Sequence, residues 1–258
     1  MTPFIQRLAL ALSLCVLASA GHTAAKKSHI QFADNLGSAV LYTPRWGSAK
    51  KAVIVVHEWW GLNDYARNRA RQLADEGYAA IAVDMYGHGK VAEHPKDATA
   101  FMNAALAEPE KMNARFNAAK AEVMALKGIE QVFAIGYCFG GAIVLNQARM
   151  GNDLTGVASF HGALGTESPA QNGAVKARVL VATGGADPMV PPEQVGALVT
   201  EMSKAGVDLT LMSFPGVLHS FTNPEATAKG KATGLPVAYD KNADEQSWAA
   251  LMRFLQGM

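Results

Sequence analysis

The chain has 258 residues, half of them hydrophobic and 17% charged, as expected of one large globular α/β chain with a substantial core. Its formal net charge is +1. Lys and Arg are scattered, with no run longer than Lys26-Lys27 or Lys50-Lys51, which argues against nucleic acid or an anionic membrane surface as a partner.

Arg7 precedes an apolar stretch, residues 8–20, that closes on Ala18-Ser19-Ala20. This has the length of a signal-peptide core followed by small residues at a cleavage site, and it is short for a membrane span. Residues 1–24 are therefore expected to be a signal peptide and 25–258 a single mature domain, periplasmic or secreted, with no stable membrane anchor. Leu14 stands before Cys15 where a lipoprotein signal wants Gly or Ala. Losing the signal removes Arg7 and no acidic residue, so the mature charge is effectively zero. It also leaves Cys138 as the lone thiol in a disulfide-permissive compartment, either buried and inert or kept for its chemistry.

Further along, 28–34 and 38–44 predict a hairpin across Asn35-Leu36-Gly37. AVIVVH (52–57) predicts a strand covered on both faces, and 63–76 an amphipathic helix with Ala66, Ala70 and Leu73 on one side, stopped at Gly77. A second buried strand follows at 78–86. Residues 96–126 predict two helices parted at Pro109. VFAIG (132–136) is a third buried strand leading into a helix over 140–150. Strands at 156–160 and 178–184, a helix over 191–205, a strand at 207–214 and a closing helix over 244–255 complete the pattern. Residues 222–241, with Asn223-Pro224, Gly230, Gly234 and Pro236, read as a long irregular segment, a pocket wall or lid that sets substrate choice. Short apolar strands alternating with helices predict a mostly parallel, twisted sheet with helices on both faces, and ligands then bind beyond the carboxyl ends of the strands.

The chemistry is found at those ends. Gly136-Tyr137-Cys138-Phe139-Gly140 joins strand to helix as G-x-C-x-G, a nucleophile elbow with Cys in place of Ser. Glycines two positions either side of the nucleophile leave room for the tight turn, and the helix N-terminus favours thiolate. In the α/β-hydrolase fold the order is nucleophile, acid, base. Asp187, after the strand at 178–184, is the candidate acid, and His219, after the strand at 207–214, the candidate base. The oxyanion donors are expected to be the backbone N–H groups of Phe139 and Trp59. Trp59, Trp60 and Phe139 are candidate apolar pocket walls. Tyr86, His57 and His161 are candidate pocket or structural residues. His88, Glu93 and His94 lack a further ligand, so no metal site is expected.

HEWWGLNDYARNRARQLADEGYAAIAVDMYG, IGYCFGGA, GGADPMVP and HSF together resemble the dienelactone hydrolase family, across roughly Val53 to Phe221. The resemblance implies a single-domain α/β-hydrolase that opens an enol-lactone with a Cys-His-Asp triad and no cofactor. It also implies that Glu58 lies close to the resting Cys138 and helps control its ionisation. Two arginines that hold the substrate carboxylate in well-studied members are missing. One would stand at Asn223, the other in the stretch DATAFMNAALAE. The expected partner is thus a small ester or lactone, and the expected protein a monomer. A general carboxylesterase or thioesterase, a non-catalytic small-molecule binder and a redox thiol are the alternatives; the last lacks a C-x-x-C partner.

Overall fold

A computed structural model describes residues 25–257; the expected signal segment, 1–24, lies outside them. Eight strands form one sheet: β1 (Lys26–Gln31), β2 (Ser38–Thr43), β3 (Lys51–Val56), β4 (Ala79–Val83), β5 (Gln131–Tyr137), β6 (Gly156–Phe160), β7 (Arg178–Gly184) and β8 (Leu209–Phe214). Their order is β1-β2-β4-β3-β5-β6-β7-β8. The β1–β2 hairpin adds to β4 antiparallel, and every other pairing is parallel.

Strand β3 shows why its sequence runs apolar without alternation. Val53 and Val55 face one layer, with Leu73 of α1 (Asp64–Asp75) and Leu251 of α7 (Lys241–Gln256). Ile54 and Val56 face the other, with Phe116 of α3 (Pro109–Met124), Ile143 of α4 (Phe139–Arg149) and Met202 of α5 (Pro192–Lys204). Each such side chain, fully buried, contributes about 1.5–3 kcal/mol. Helix α1 starts where Asn63 caps it by accepting from the Ala66 amide. Helix α2 (Pro95–Leu106) and α3 each begin at proline, whose missing N–H costs nothing at a first turn.

The segment 222–241 departs from its predicted irregular form. It contains a short helix, α6 (Ala226–Thr233), and Val237 bridges back to His219. ATAKGKAT has little helical propensity, two threonines and a glycine offsetting its alanines. The helix is held by contact instead: a side chain at Gly230 would meet the Val237 carbonyl oxygen at 2.4 Å. The chain thus doubles back over the sheet's carboxyl edge beside His219.

Strands β4 and β5 lie on opposite sides of β3, so the direction in which successive strands are added to the sheet reverses there. The loops leaving β3 and β5 open onto one crevice, where a parallel sheet binds its ligand.

Candidate active site

Strand β5 ends at Tyr137, and Cys138 is the N-cap of α4 with φ 53° and ψ −115°. A side chain in that region carries strain of about 1–3 kcal/mol and persists only where its surroundings enforce it. Here the Cys138 amide donates to the Phe160 carbonyl at 3.0 Å, and the Gly140 amide donates to the His57 carbonyl at 3.1 Å. The turn is possible only because its glycines have no side chains: a Cβ on Gly136 would sit 2.0 Å from the Gly140 oxygen.

His219 and Asp187 come together from two loops. His219 Nδ1 lies 2.7 Å from Asp187 Oδ2, and both side chains are buried. The other carboxylate oxygen accepts the Met189 amide at 2.8 Å, which fixes the carboxylate plane. His219 Nε2 is buried without a hydrogen bond of normal geometry; residues His219 and Cys138 line the same cavity. Burial works against charge on the ring, but the neighbouring Cys138 sulfur and then Asp187 outweigh it and raise the His219 pKa to about 10.

Trp59 and Phe139 border the same cavity. Among the described residues, neither backbone N–H donates to a protein acceptor. Phe139 opens α4, where a first-turn amide has no intrahelical partner.

Glu58 makes its hydrogen bonds away from Cys138. It is buried, and its two carboxylate oxygens accept from the Ser220 hydroxyl at 2.9 Å and the Asn223 side-chain amide at 2.7 Å. Its hydrogen bonds therefore go to the loop that carries His219, not to Cys138. Burial raises its pKa, partly offset by those two bonds. Asn223, standing where an arginine was absent, is one of its holders.

The cavity holds about 230 Å³. Trp59, Trp60 and Phe139 form apolar walls, and Met102 and Met189 add flexible ones. Lys229, on α6, is the one lysine or arginine among the described residues that line it; Nζ lies 4.8 Å from the Trp60 ring centre. Nothing in the sequence singled out Lys229, because its approach to Trp60 depends on the fold of 222–241.

The remaining candidates have structural partners. Tyr86 donates its hydroxyl to the Trp59 carbonyl at 2.9 Å. His161 has φ 41°, and its ring meets that of His219 edge-on at 5.1 Å. Its Nε2 lies 2.7 Å from Thr222 Oγ1, which in turn lies 2.6 Å from the Tyr65 hydroxyl. Burial, then the nearby His219 and Arg69, keep His161 neutral by lowering its pKa well below the usual histidine value. Arg69, unremarked in the sequence, is buried in α1 and donates to the Thr222 carbonyl and to Asp244. The loop 219–223 is thus held from the Glu58 side and from the Arg69 side.

A mostly parallel eight-stranded sheet covered on both faces, with a strained turn after β5 and a His–Asp pair at the ends of β7 and β8, defines an α/β-hydrolase. The sequence profile of the dienelactone hydrolase family matches residues 38–258. The chain belongs to the dienelactone hydrolase family and, with it, to the carboxylic ester hydrolases. "Protein usf" of Aquifex pyrophilus is 32% identical over 71% of this chain and 80% of its own length. A "Putative carboxymethylenebutenolidase" of Saccharolobus solfataricus is 27% identical over 84% of this chain and 93% of its own. Among solved structures, the dienelactone hydrolase-like promiscuous phosphotriesterase P91, from metagenomic libraries, superposes with a TM-score of 0.83. It is 31% identical over 91% of this chain and 98% of P91.

Proposed function

We propose that the protein hydrolyses small esters or lactones, of enol-lactone type, through a Cys138–His219–Asp187 triad and a thioester acyl-enzyme. The supporting observation is His219: one ring nitrogen is bound to Asp187, the other has no hydrogen-bond partner, and the residue lines one cavity with Cys138. His219, whose raised pKa suits it to hold the proton, takes that of the thiol before sulfur attacks the carbonyl carbon. The tetrahedral oxyanion meets the Trp59 and Phe139 amides. Collapse expels the alkoxide, which takes the proton from His219. Water, deprotonated by His219, then cleaves the thioester and returns the thiol. Asp187 holds the imidazole in the tautomer with Nδ1–H and stabilises the imidazolium.

A general carboxylesterase or thioesterase uses the same steps, and a panel of simple esters and thioesters against enol-lactones separates it from a lactonase. The deciding test of the triad is mass spectrometry of His219→Gln after substrate addition. An acyl adduct on Cys138 supports the reading; full turnover by Cys138→Ala overturns it. Export directed by residues 1–24 belongs to the same reading, and cell fractionation of the full-length protein tests it.

A second reading is favoured by the likeness to P91. Aryl phosphotriesters would be attacked at phosphorus by the same sulfur, with loss of the aryl oxide and hydrolysis of the phosphoryl-cysteine by His219-activated water. Paraoxon turnover that vanishes in Cys138→Ala supports it; no turnover by the wild type removes it.

A further inference from the structure

We propose that His57 is a positioning residue for the oxyanion hole: its ring fixes the Glu58–Trp59 peptide so that the Trp59 N–H faces the reacting oxygen. The inference rests on the reading of Trp59 as an oxyanion donor and adds the residue that orients it.

The ring's protonation state follows from its partners. The Met85 amide donates to His57 Nε2 at 3.1 Å. A backbone N–H can only donate, so Nε2 is the unprotonated nitrogen. The proton then sits on Nδ1, which lies 2.5 Å from the Glu58 carbonyl oxygen and donates to it. Burial lowers the His57 pKa and keeps the ring in this neutral form.

The Glu58 carbonyl also accepts the Gly61 amide at 3.2 Å. Two donors therefore pin one end of the Glu58–Trp59 peptide unit. The described residues contain no cis peptide bond. In a trans peptide N–H and C=O point in opposite directions, so holding the carbonyl toward His57 turns the Trp59 N–H away from it. That N–H has no protein acceptor, and Trp59 lines the cavity. The same residue reaches the second donor, since the His57 carbonyl accepts the Gly140 amide and seats the first turn of α4, where the Phe139 N–H emerges. The fully buried ring is packed between Tyr86 and Phe139, with centroids 4.8 and 5.9 Å away. It has no room to turn over without a change in both rings.

A freely turning peptide would share the Trp59 N–H between the oxyanion and other directions. Loss of one preorganised donor costs about 100-fold to 1000-fold in kcat. His57→Leu is expected to lower kcat with ester substrate by about 100-fold. Affinity for an aldehyde inhibitor, whose thiohemiacetal oxygen occupies the hole, should fall in parallel. Alkylation of Cys138 by iodoacetamide should stay within about twofold, because that reaction forms no oxyanion. His57→Gln, which offers one acceptor and one donor, should recover most of the loss. Equal falls in alkylation and turnover, or unchanged aldehyde affinity, overturn the proposal. Nitrogen-15 NMR of histidine-labelled wild type tests it without any variant: an Nε2-protonated His57 at neutral pH overturns it, an Nδ1-protonated one supports it. Wild-type turnover that survives Cys138→Ala would instead defeat the underlying triad reading.

Discussion

Asp187 presents one carboxylate oxygen to His219 Nδ1 at 2.7 Å and the other to the Met189 amide at 2.8 Å, so neither oxygen is free to turn. The carboxylate thereby holds the His219 proton on Nδ1, and Nε2, buried with no hydrogen-bond partner, is the second ring nitrogen. Asp187→Asn keeps the shape but can present an N–H to Nδ1, which favours the opposite tautomer. We expect kcat to fall by at least about 100-fold with the fold intact. Steady-state kinetics beside a circular dichroism spectrum check this, and a loss under threefold contradicts it.

Gly140 sits against the backbone of the β3 strand end. A Cβ there would lie 2.4 Å from the Val56 oxygen and 2.7 Å from the His57 oxygen. Neither obstacle is a flexible side chain, so the strand end and α4 must part. Gly140→Ala should cost about 3 kcal/mol, a fall in Tm of roughly 6–12 °C for a domain of this size. Activity should be lost as well, since the elbow moves. Differential scanning calorimetry measures the first effect, and an unchanged Tm would contradict the packing argument.

Glu201 of α5 accepts two bonds from Arg149 of α4, at 2.8 and 2.9 Å, and a third from the Ala170 amide at 2.8 Å. Burial alone would raise its pKa, but the Arg149 hydrogen bonds and then the amide prevail and lower it below 4.5. With the folded pKa depressed, the stabilisation is complete above pH 4.5 and is lost as pH falls through the folded value, because the unfolded chain binds the proton first. Glu201→Gln should cost about 1.5–3 kcal/mol at pH 7 and flatten the acid limb of the stability curve. Urea unfolding between pH 3 and pH 7 tests it, and equal losses at both ends would refute it.

Lys229 contributes a cation to an otherwise largely apolar cavity. Its Glu225 partner lies 3.4 Å away but is 69% exposed, against 28% for Lys229 itself, so that ion pair offers little competition to a substrate anion. An ester with a carboxylate at the far end of its acyl chain should be favoured over a neutral ester of equal length. Lys229→Met should shift the ratio of the two kcat/KM values by about tenfold toward the neutral ester. A ratio that does not move would exclude Lys229 from substrate selection.

Much of the fold was legible because the signals are local. Val53 to Val56 are apolar without interruption since both faces of β3 are covered, and Pro109 and Gly77 break helices by their own backbone chemistry. The G-x-C-x-G turn is legible for the same reason: Gly136 and Gly140 are required by sterics within a few residues of Cys138. Candidate acid and base were found from their places after β7 and β8, though not how closely they would meet.

The amino-acid order alone determined the sheet, the elbow and the chemistry of the groups set along its carboxyl edge, because periodicity and turn sterics act over neighbouring residues. Only the tertiary structure decided that Glu58 bonds to Ser220 and Asn223, that ATAKGKAT becomes a helix carrying Lys229 to Trp60, and that the His57 ring is held between Met85 and Glu58. Those outcomes depend on which distant backbone groups and buried side chains meet, and burial makes an unpaired polar group costly enough to select one arrangement.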